Sequence, residues 1–287
     1  MKMKNVFRYA FPLCLVLASM PAPAEPSARA LLDKARDNLA SAPAIRRVDT
    51  TEQSTAVIVD QRRVGQEPQT NVVTVEIDRP KLLARQTAAI QGKPLIMLKQ
   101  GEKAAMKLGA GPWEIPTGPF ENMAKDMGSL FVCEIETPES DKNAPTWKLT
   151  GTELLGGREA LVIETEGNTA APLAQERMTK AMAKMFAGNP AQQPAVKVLE
   201  YSSKHWISKS DYHHLQAIQI SKVQVTIVLP DGKEQMIEQT SKATSRYNFE
   251  KVAIEIPEEA QKLLSSGNDP GQKPRLKDDI SERNSKP

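Results

Sequence analysis

The chain has 287 residues, of which 40% are hydrophobic and 25% charged, and its formal net charge is +3. This length accommodates one large β-rich domain or two small ones. Without the first 24 residues, which hold three basic and no acidic side chains, 35 basic residues balance 35 acidic residues. A neutral chain without a basic stripe of interleaved aromatic residues is not typical of nucleic-acid binding, and we expect no nucleic-acid partner.

Residues 1–24 have the pattern of a secretory signal peptide. Basic residues precede an apolar run at 9–20, and Ala22 and Ala24 offer small side chains at both positions that signal peptidase reads. A membrane anchor is the alternative, but the run is about a dozen residues long and a spanning helix needs about 20. We therefore expect export with cleavage after Ala24. Cys133 is then the only mature cysteine, which excludes an intramolecular disulfide.

The mature chain begins with a helix followed by an antiparallel meander of strands. Residues 26–41 place Ala28, Leu31, Leu32, Ala35 and Leu39 on one helical stripe. Strands are predicted at 45–60, 71–79, 81–88, 95–98 and 104–108. Alternation of apolar and polar residues indicates the strand at 71–79, and 95–98 is a short continuous apolar run. Gly92 and Gly101 lie in the turns between neighbouring strands, so these strands are expected to pair as hairpins.

Two methionine-rich helices are predicted to interrupt the sheet, at residues 119–132 and 171–187. The apolar face of the first consists of Phe120, Met123, Met127, Leu130 and Phe131, and that of the second of Leu173, Met178, Met182, Met185 and Phe186. Between them, residues 147–155 and 158–166 predict a hairpin across Gly156 and Gly157. Each stripe is either ordinary core packing or a lid over a ligand, since methionine is flexible and suits surfaces that repack.

Residues 198–256 form the longest stretch of β pattern in the chain. Apolar residues alternate with polar ones between Gln219 and Leu229, and Pro230, Asp231 and Gly232 then supply a turn. Upstream, isoleucines at 218 and 220 occupy the opposite parity to valines at 223 and 225. Keeping all four on one face requires an extra residue, so we predict a bulge or bend at Ser221-Lys222.

The end of the chain is simpler. Residues 257–264 predict a short helix, and residues 265–287 are polar, contain Gly and Pro, and show no apolar periodicity. We expect that tail to be disordered. The organisation predicted for the chain is therefore a signal peptide at 1–24, a single domain at 25–264 and a disordered tail.

No catalytic motif with a known mechanism is found, so we expect neither an enzyme nor a cofactor. The one cluster of chemically versatile residues is His205, His213 and His214. A tight turn at Lys209-Ser210 would place His205 opposite His214 and Trp206 opposite His213. Such a pair could hold a divalent metal, but a third ligand is not placed, and a solvated hairpin tip is the preferred interpretation.

The order of these elements resembles a known superfamily. A signal peptide, an amphipathic helix, an antiparallel meander, helices inserted mid-sheet and a closing hairpin that contains Trp206 are shared with the periplasmic carriers that sort outer-membrane lipoproteins (LolA/LolB-like). The turn at 229–232, the segment 247–252 and Ile256-Pro257 are similar to the end of those proteins. The similarity covers residues 28–264 in layout.

The resemblance implies an α+β fold in which a strongly curved antiparallel sheet forms an unclosed half-barrel and helices cover its concave face. It further implies a periplasmic protein that binds a hydrophobic ligand, such as a lipid or the acyl chains of a lipoprotein, and that carries out transport or chaperone work. On that hypothesis the ligand is lined by Val75, Ile77, Met97, Met106, Trp113, Met123, Met127, Phe131, Val225 and Ile227.

An alternative is a non-enzymatic interaction or sensor protein of the cell envelope. Its curved sheet would be filled by its own helices, and its exposed strands or methionine-rich helix would dock another envelope protein. The two hypotheses differ in whether the interior is hollow or packed.

Overall fold

The computed structural model describes residues 26–59, 62–127, 144–185, 194–228 and 234–265. The helices are α1 (Ala28–Ser41), α2 (Pro119–Asp126), α3 (Ala171–Met185) and α4 (Glu258–Ser265). The strands are β1 (Ala44–Val59), β2 (Arg62–Gly65), β3 (Gln69–Asp78), β4 (Leu83–Ile90), β5 (Lys93–Gln100), β6 (Lys103–Leu108), β7 (Trp113–Glu114), β8 (Trp147–Leu155), β9 (Arg158–Thr165), β10 (Ala195–Ser208), β11 (His214–Val228) and β12 (Glu234–Asn248). The predicted signal peptide, the turn at 229–233 and the polar tail beyond Ser265 lie outside the described residues, as do Leu130, Phe131, Cys133 and Phe186.

All strands belong to one 12-stranded antiparallel sheet. Their order is β7-β6-β5-β4-β3-β1-β12-β11-β10-β9-β8, and β2 pairs separately with β1. The two halves of the chain therefore meet where β1, from the first half, pairs with β12 from the last. The end strands β7 and β8 do not pair with each other, so the sheet is unclosed. The prediction of an α+β fold built on an unclosed antiparallel sheet is confirmed.

The sheet curves around α1. One cluster of buried side chains contains Met106 of β6, Ile163 of β9 and the apolar stripe of α1. Strands β6 and β9 are eight positions apart in the sheet order, which on a flat sheet corresponds to about 38 Å. The cluster also contains Ala124 and Met127 at α2, and two helices side by side are about 20–24 Å wide, so both strands can share one cluster with them only because the sheet bends. The predicted half-barrel with a helix on its concave face is confirmed.

Helix α1 follows from its sequence. Ser27 caps its N-terminus, where the Ser27 hydroxyl accepts a hydrogen bond from the Ala30 backbone N–H at 3.2 Å. Leu31, Leu32 and Leu39 recur at helical spacing and are each at most 4% exposed. Charged residues lie on the opposite side of the helix and pair along it. The helix is therefore held in the concavity by its apolar stripe, as predicted.

The bulge predicted at Ser221-Lys222 is found opposite Lys222, but its extra residue lies on β10 and not on β11. The register of β11 against β12 is continuous from Gln216 to Val228. The irregularity lies on the other neighbour, β10, where Val198 pairs with Val223 and Glu200 pairs with Lys222, which leaves Leu199 as the additional residue. Ile218 and Ile220 do not share a face with Val223 and Val225, so β11 needs no extra residue. They lie on the convex face, where Ile218 packs against a cluster formed by Ala160, Val162, Trp206 and Leu215.

Side-chain amides cover the edge of β10 that β9 leaves open. Strand β9 pairs with β10 only from Lys204 to Ser208. Beyond that point the Gln175 amide donates to the Val196 carbonyl and accepts from the Val198 N–H, both at 2.7 Å. Asn168 makes equivalent bonds at 3.1 Å and 2.8 Å further along the strand. Helix α3 thus occupies an edge that would otherwise be free to pair with another strand.

Candidate ligand-binding face

The pairing register decides which side chains face the concavity. Successive side chains of a strand point to opposite faces, and directly paired residues share a face. Ile45 belongs to the α1 cluster and pairs with Ile77, which pairs in turn with Ala84. Following these pairs across the sheet assigns the odd-numbered residues of β1, β3, β5, β12 and, from Ala217 onward, β11 to the concave face.

Five of the predicted lining residues are brought together beneath α1. Val75, Ile77, Met97, Met106 and Met127 all belong to the α1 cluster and are between 0% and 4% exposed. Met123 packs against the same cluster and is partly buried. In this part of the concavity the protein's own helices α1 and α2 occupy the place that the hypothesis assigned to a ligand.

Trp113 lies on the other side of the sheet. It pairs with Lys107, whose side chain points away from the concave-facing Met106. There it packs against a second cluster formed by the convex face of the sheet, helix α4 and the segment leading to it. Its members are Leu83, Leu98, Ala105, Val252, Ile254, Ala260 and Leu264. Phe131, the remaining predicted residue of the first helix, lies outside the described residues.

Val225 and Ile227 lie at the other end of the concave face. Both are half-buried, and neither belongs to the cluster around α1. Between them and that cluster the concave face is polar. An ion pair of Arg47 and Asp49 at 2.8 Å lies next to the cluster, and Gln53, Ser221 and Ser241 follow on β1, β11 and β12. The hydroxyls of Ser221 and Ser241 are 2.8 Å apart and hydrogen-bonded. The concave face thus has a filled apolar part, a polar middle and an apolar far end.

Two histidines lie at the boundary between the filled part and the polar middle. The predicted pairing is wrong, because His214 pairs with Ile207 and His205 pairs with Ala217. The turn is longer than predicted, with Tyr212 in a left-handed conformation at φ 56°, and Leu215 is an additional unpaired residue on β11. The two imidazoles nevertheless meet, with His205 Nδ1 and His214 Nε2 at 3.0 Å.

These histidines are buried, which corrects the prediction of a solvated hairpin tip. His205 is 3% exposed and His214 is 1% exposed. The Ser203 hydroxyl is 2.8 Å from His205 Nε2, so hydrogen bonds link Ser203, His205 and His214 in a chain. Trp147 contacts the His205 ring edge-on, and Tyr247 stacks on His214. Sequence reasoning missed these aromatic neighbours, because they come from β8 and β12, far from the hairpin in the chain.

Burial keeps both rings neutral at ordinary pH. Desolvation lowers the pKa of His205 from 6.5 to about 4. It also holds the pKa of His214 well below 6.5, helped by the neighbouring His205 and opposed only in part by the backbone of Gln216. The buried nitrogens His214 Nδ1 and Trp147 Nε1 make no hydrogen bond to the described residues.

The described residues hold no group of three or more His, Cys, Asp or Glu side chains that could bind a metal ion. Within the same ranges, none of the helices is long and apolar enough to cross a membrane.

An open cleft of about 650 Å³ lies beside the Gly156 turn, and its lining includes Arg158, Arg246 and Leu215. Arg158 is paired with Asp211 at 2.5 Å, and Arg246 donates to the side-chain oxygen of Gln216 at 3.4 Å.

Comparison with known proteins finds solved structures that are similar to this chain at low sequence identity. No protein-family model and no curated protein sequence matches the chain. Among solved structures, Mycobacterium tuberculosis lipoprotein LppX is similar at 14% identity over 79% of this chain and 99% of its own, with a TM-score of 0.38. A DUF1329 family protein from Desulfovibrio piger is similar at 11% identity over 77% of this chain and 91% of its own, with a TM-score of 0.23. Lipovitellin, solved in a study of lipid–protein interactions, is similar at 10% identity over 75% of this chain and 26% of its own, with a TM-score of 0.25. TM-scores below 0.5 do not establish a shared fold.

Proposed function

We propose that this protein binds a hydrophobic ligand on the concave face of its half-barrel and acts as a periplasmic carrier of a lipid or of lipoprotein acyl chains. The observation that carries the proposal is the far end of that face, where Val57, Val225, Ile227 and Ile237 keep part of their surface exposed. A ligand that covers these partly exposed apolar side chains gains about 25 cal/mol of binding free energy for each Å² of apolar surface removed from water. Such sites are typical of binding proteins.

The division of the concave face supports a carrier. Helix α1 fills one part with its own leucines, which stabilises the curved sheet in the absence of ligand. The far end then need not contribute to folding and is free for a ligand that comes and goes. We further propose export through the signal peptide and a binding function without catalysis.

A test follows from the expected cargo. Protein purified from the cell envelope without detergent should carry bound lipid, seen as added mass in native mass spectrometry and identified after solvent extraction. Delipidated protein should bind a fluorescent fatty acid again. A preparation that carries no lipid and binds none of the probe would contradict the proposal.

The second candidate is an interaction protein of the envelope, favoured by one specific observation. Met97 and Met127 are completely buried under the protein's own helices, so the region expected to hold a ligand is packed. On this alternative the half-barrel is a rigid scaffold and a second envelope protein covers its far end. Cross-linking in intact cells would yield a stable heterologous complex, and the purified protein would be free of lipid.

A further inference from the structure

Five apolar side chains form one continuous row across the far end of the concave face. The register pairs Val64 of β2 with Val57 of β1, Val57 with Ile237 of β12, Ile237 with Val225 of β11, and Val225 with Val196 of β10. Directly paired residues share a face, so all five side chains point into the concavity. We name these five residues the valine row.

The valine row is open to solvent to different degrees along its length. Val64 is 66% exposed, and the other four residues are half-buried. None of the five belongs to the clusters that form the described core. A line of five apolar side chains at neighbouring positions is costly to leave in water, whereas single exposed apolar residues are ordinary.

We infer that the valine row is the seat of one linear acyl chain, which lies across the five strands at right angles to them. This inference rests on the proposed function and specifies the site. Four spacings between neighbouring strands give the row a length of about 19 Å. The hydrocarbon core of a bilayer is about 30 Å thick, so the chain of one membrane lipid spans about half of that distance. The length of the row therefore suits one such chain.

The neighbouring rows toward α1 keep the chain at the far end of the concave face. Next toward α1 come Thr55 and Gln239 with Val223, and after them Gln53, Ser241 and Ser221. An acyl chain that moved toward α1 would cover amide and hydroxyl groups without replacing their hydrogen bonds, which is unfavourable. Neither row presents a charged side chain on β1, β11 or β12. The charged headgroup of a lipid therefore finds no partner on the side toward α1. On the other side of the row, Arg62 pairs with Val59 and shares the face of Val64, so a negatively charged headgroup can reach it at the β2 end.

Helix α3 borders the β10 end of the row. Gln175 fixes the helix to the backbone of Val196 and Val198 through the two bonds described above. Met178 lies three residues further along and Met182 seven, so both share the helical face of Gln175. Both are half-buried. These flexible side chains supply an adaptable border where the chain end meets the helix.

The test compares polar substitutions on the two faces of the same strand. Delipidated protein is titrated with cis-parinaric acid, a fluorescent long-chain fatty acid, and each variant is first checked for an unchanged unfolding midpoint. Val225→Asn and Val57→Asn should each weaken binding about tenfold, since each removes an apolar contact and adds an amide to the row. The matched control is Ile220→Asn, an exposed apolar position on the convex face of β11, which should change binding less than twofold.

A second measurement locates the probe directly and does not depend on how the variants fold. Wild-type protein is irradiated with a fatty acid that carries a photoreactive diazirine in its chain, and the labelled peptides are sequenced. Labels on β1, β11 and β12 at the valine row support the inference. Labels at Met97, Met106 or Met127, or equal effects of the row variants and Ile220→Asn, overturn it while leaving the proposed function intact. Wild-type protein that binds no fatty acid overturns both.

Discussion

The Nδ1 atom of His205 and the Nε2 atom of His214 share a hydrogen bond of 3.0 Å inside the half-barrel, although the two residues lie on different strands that do not pair them directly. A bond between two imidazoles needs one nitrogen as donor and the other as acceptor, so protonation of both rings would leave two donors facing each other and break it. Protonation of either ring also places a charge in a buried site, which is unfavourable.

We predict that acid destabilises the protein through these two histidines. Their pKa is lower in the folded state than the unfolded value of 6.5, so the unfolded chain binds protons first as the pH falls. The contribution of the two neutral histidines to the free energy of unfolding is complete above pH 6.5 and decreases as the pH falls towards about 4. For His205 alone the full effect is about 3 kcal/mol. Urea unfolding at several pH values between 7.5 and about 4.5 measures the slope.

The control for this prediction is the third histidine. His213 stacks on Phe249 and lies outside the buried pair, so His213→Gln is the variant with which the slope of the double variant is compared. The double variant His205→Gln/His214→Gln should flatten the slope whatever its absolute stability. An unaltered slope in the double variant would show that other groups cause the acid sensitivity.

Met97 should be among the residues most sensitive to truncation. Its side chain is completely buried between α1 and the concave face, so Met97→Ala leaves a cavity and should lower the free energy of unfolding by about 2–5 kcal/mol. Val72 is 49% exposed on the convex face of β3, so Val72→Ala should change the free energy of unfolding by less than about 0.5 kcal/mol. Equal effects in denaturant unfolding would contradict the assignment of the faces.

Removal of the Gln175 amide should open the edge of β10. Gln175→Ala leaves the Val198 N–H and the Val196 carbonyl without their partners, at a cost of about 1–3 kcal/mol if water does not replace them. Hydrogen exchange should accelerate at Val198 and not at Trp206, whose strand segment is paired on both sides. The exposed Lys180→Ala on the same helix is the control. Unchanged exchange at Val198 would mean that α3 does not protect this edge.

We predict that the two arginines beside the Glu76 carboxylate differ in how much they stabilise the fold. Arg85 donates from Nε at 2.6 Å to Glu76, which is only 9% exposed, whereas the more exposed Arg46 lies at 3.8 Å. Arg85→Ala removes the close partner of a buried charge and should cost about 3 kcal/mol, while Arg46→Ala should cost less than about 1 kcal/mol. Thermal or urea unfolding of the two variants gives the comparison, and a larger loss for Arg46→Ala would contradict it.

The periodicity of the sequence predicted most of the elements. The stripe of α1, the alternation in β3 and β11 and the short apolar run of β5 depend on neighbours in the chain, and each of these elements has the predicted type. Strand β2 was not predicted, since its four residues are all exposed and carry no alternation. The bulge was assigned to the wrong strand, because Ile218 and Ile220 lie on the convex face and need not share a face with Val223 and Val225.

The candidate site was harder to predict than the fold. Alternation predicts that Val75 and Val225 each lie on the apolar face of their strand. It does not show whether a helix covers that face. Val75 lies under α1, and Val225 lies beyond it. Trp113 was grouped with Met123 because both follow the meander in sequence, yet one short strand turns Trp113 to the opposite face. The aromatic partner of His205, Trp147, lies about sixty residues upstream, and that of His214, Tyr247, lies about thirty residues downstream.

The sequence by itself determined the local features of this protein: its helices, its strands, its turns and the alternation that makes each strand two-faced. These depend on backbone geometry and on side chains within a few residues of one another. Only the tertiary structure decided which face is concave, where α1 lies and how the valine row aligns. These follow from strand order and register between distant segments, and a shift of one residue in pairing would send every side chain of a strand to the other face.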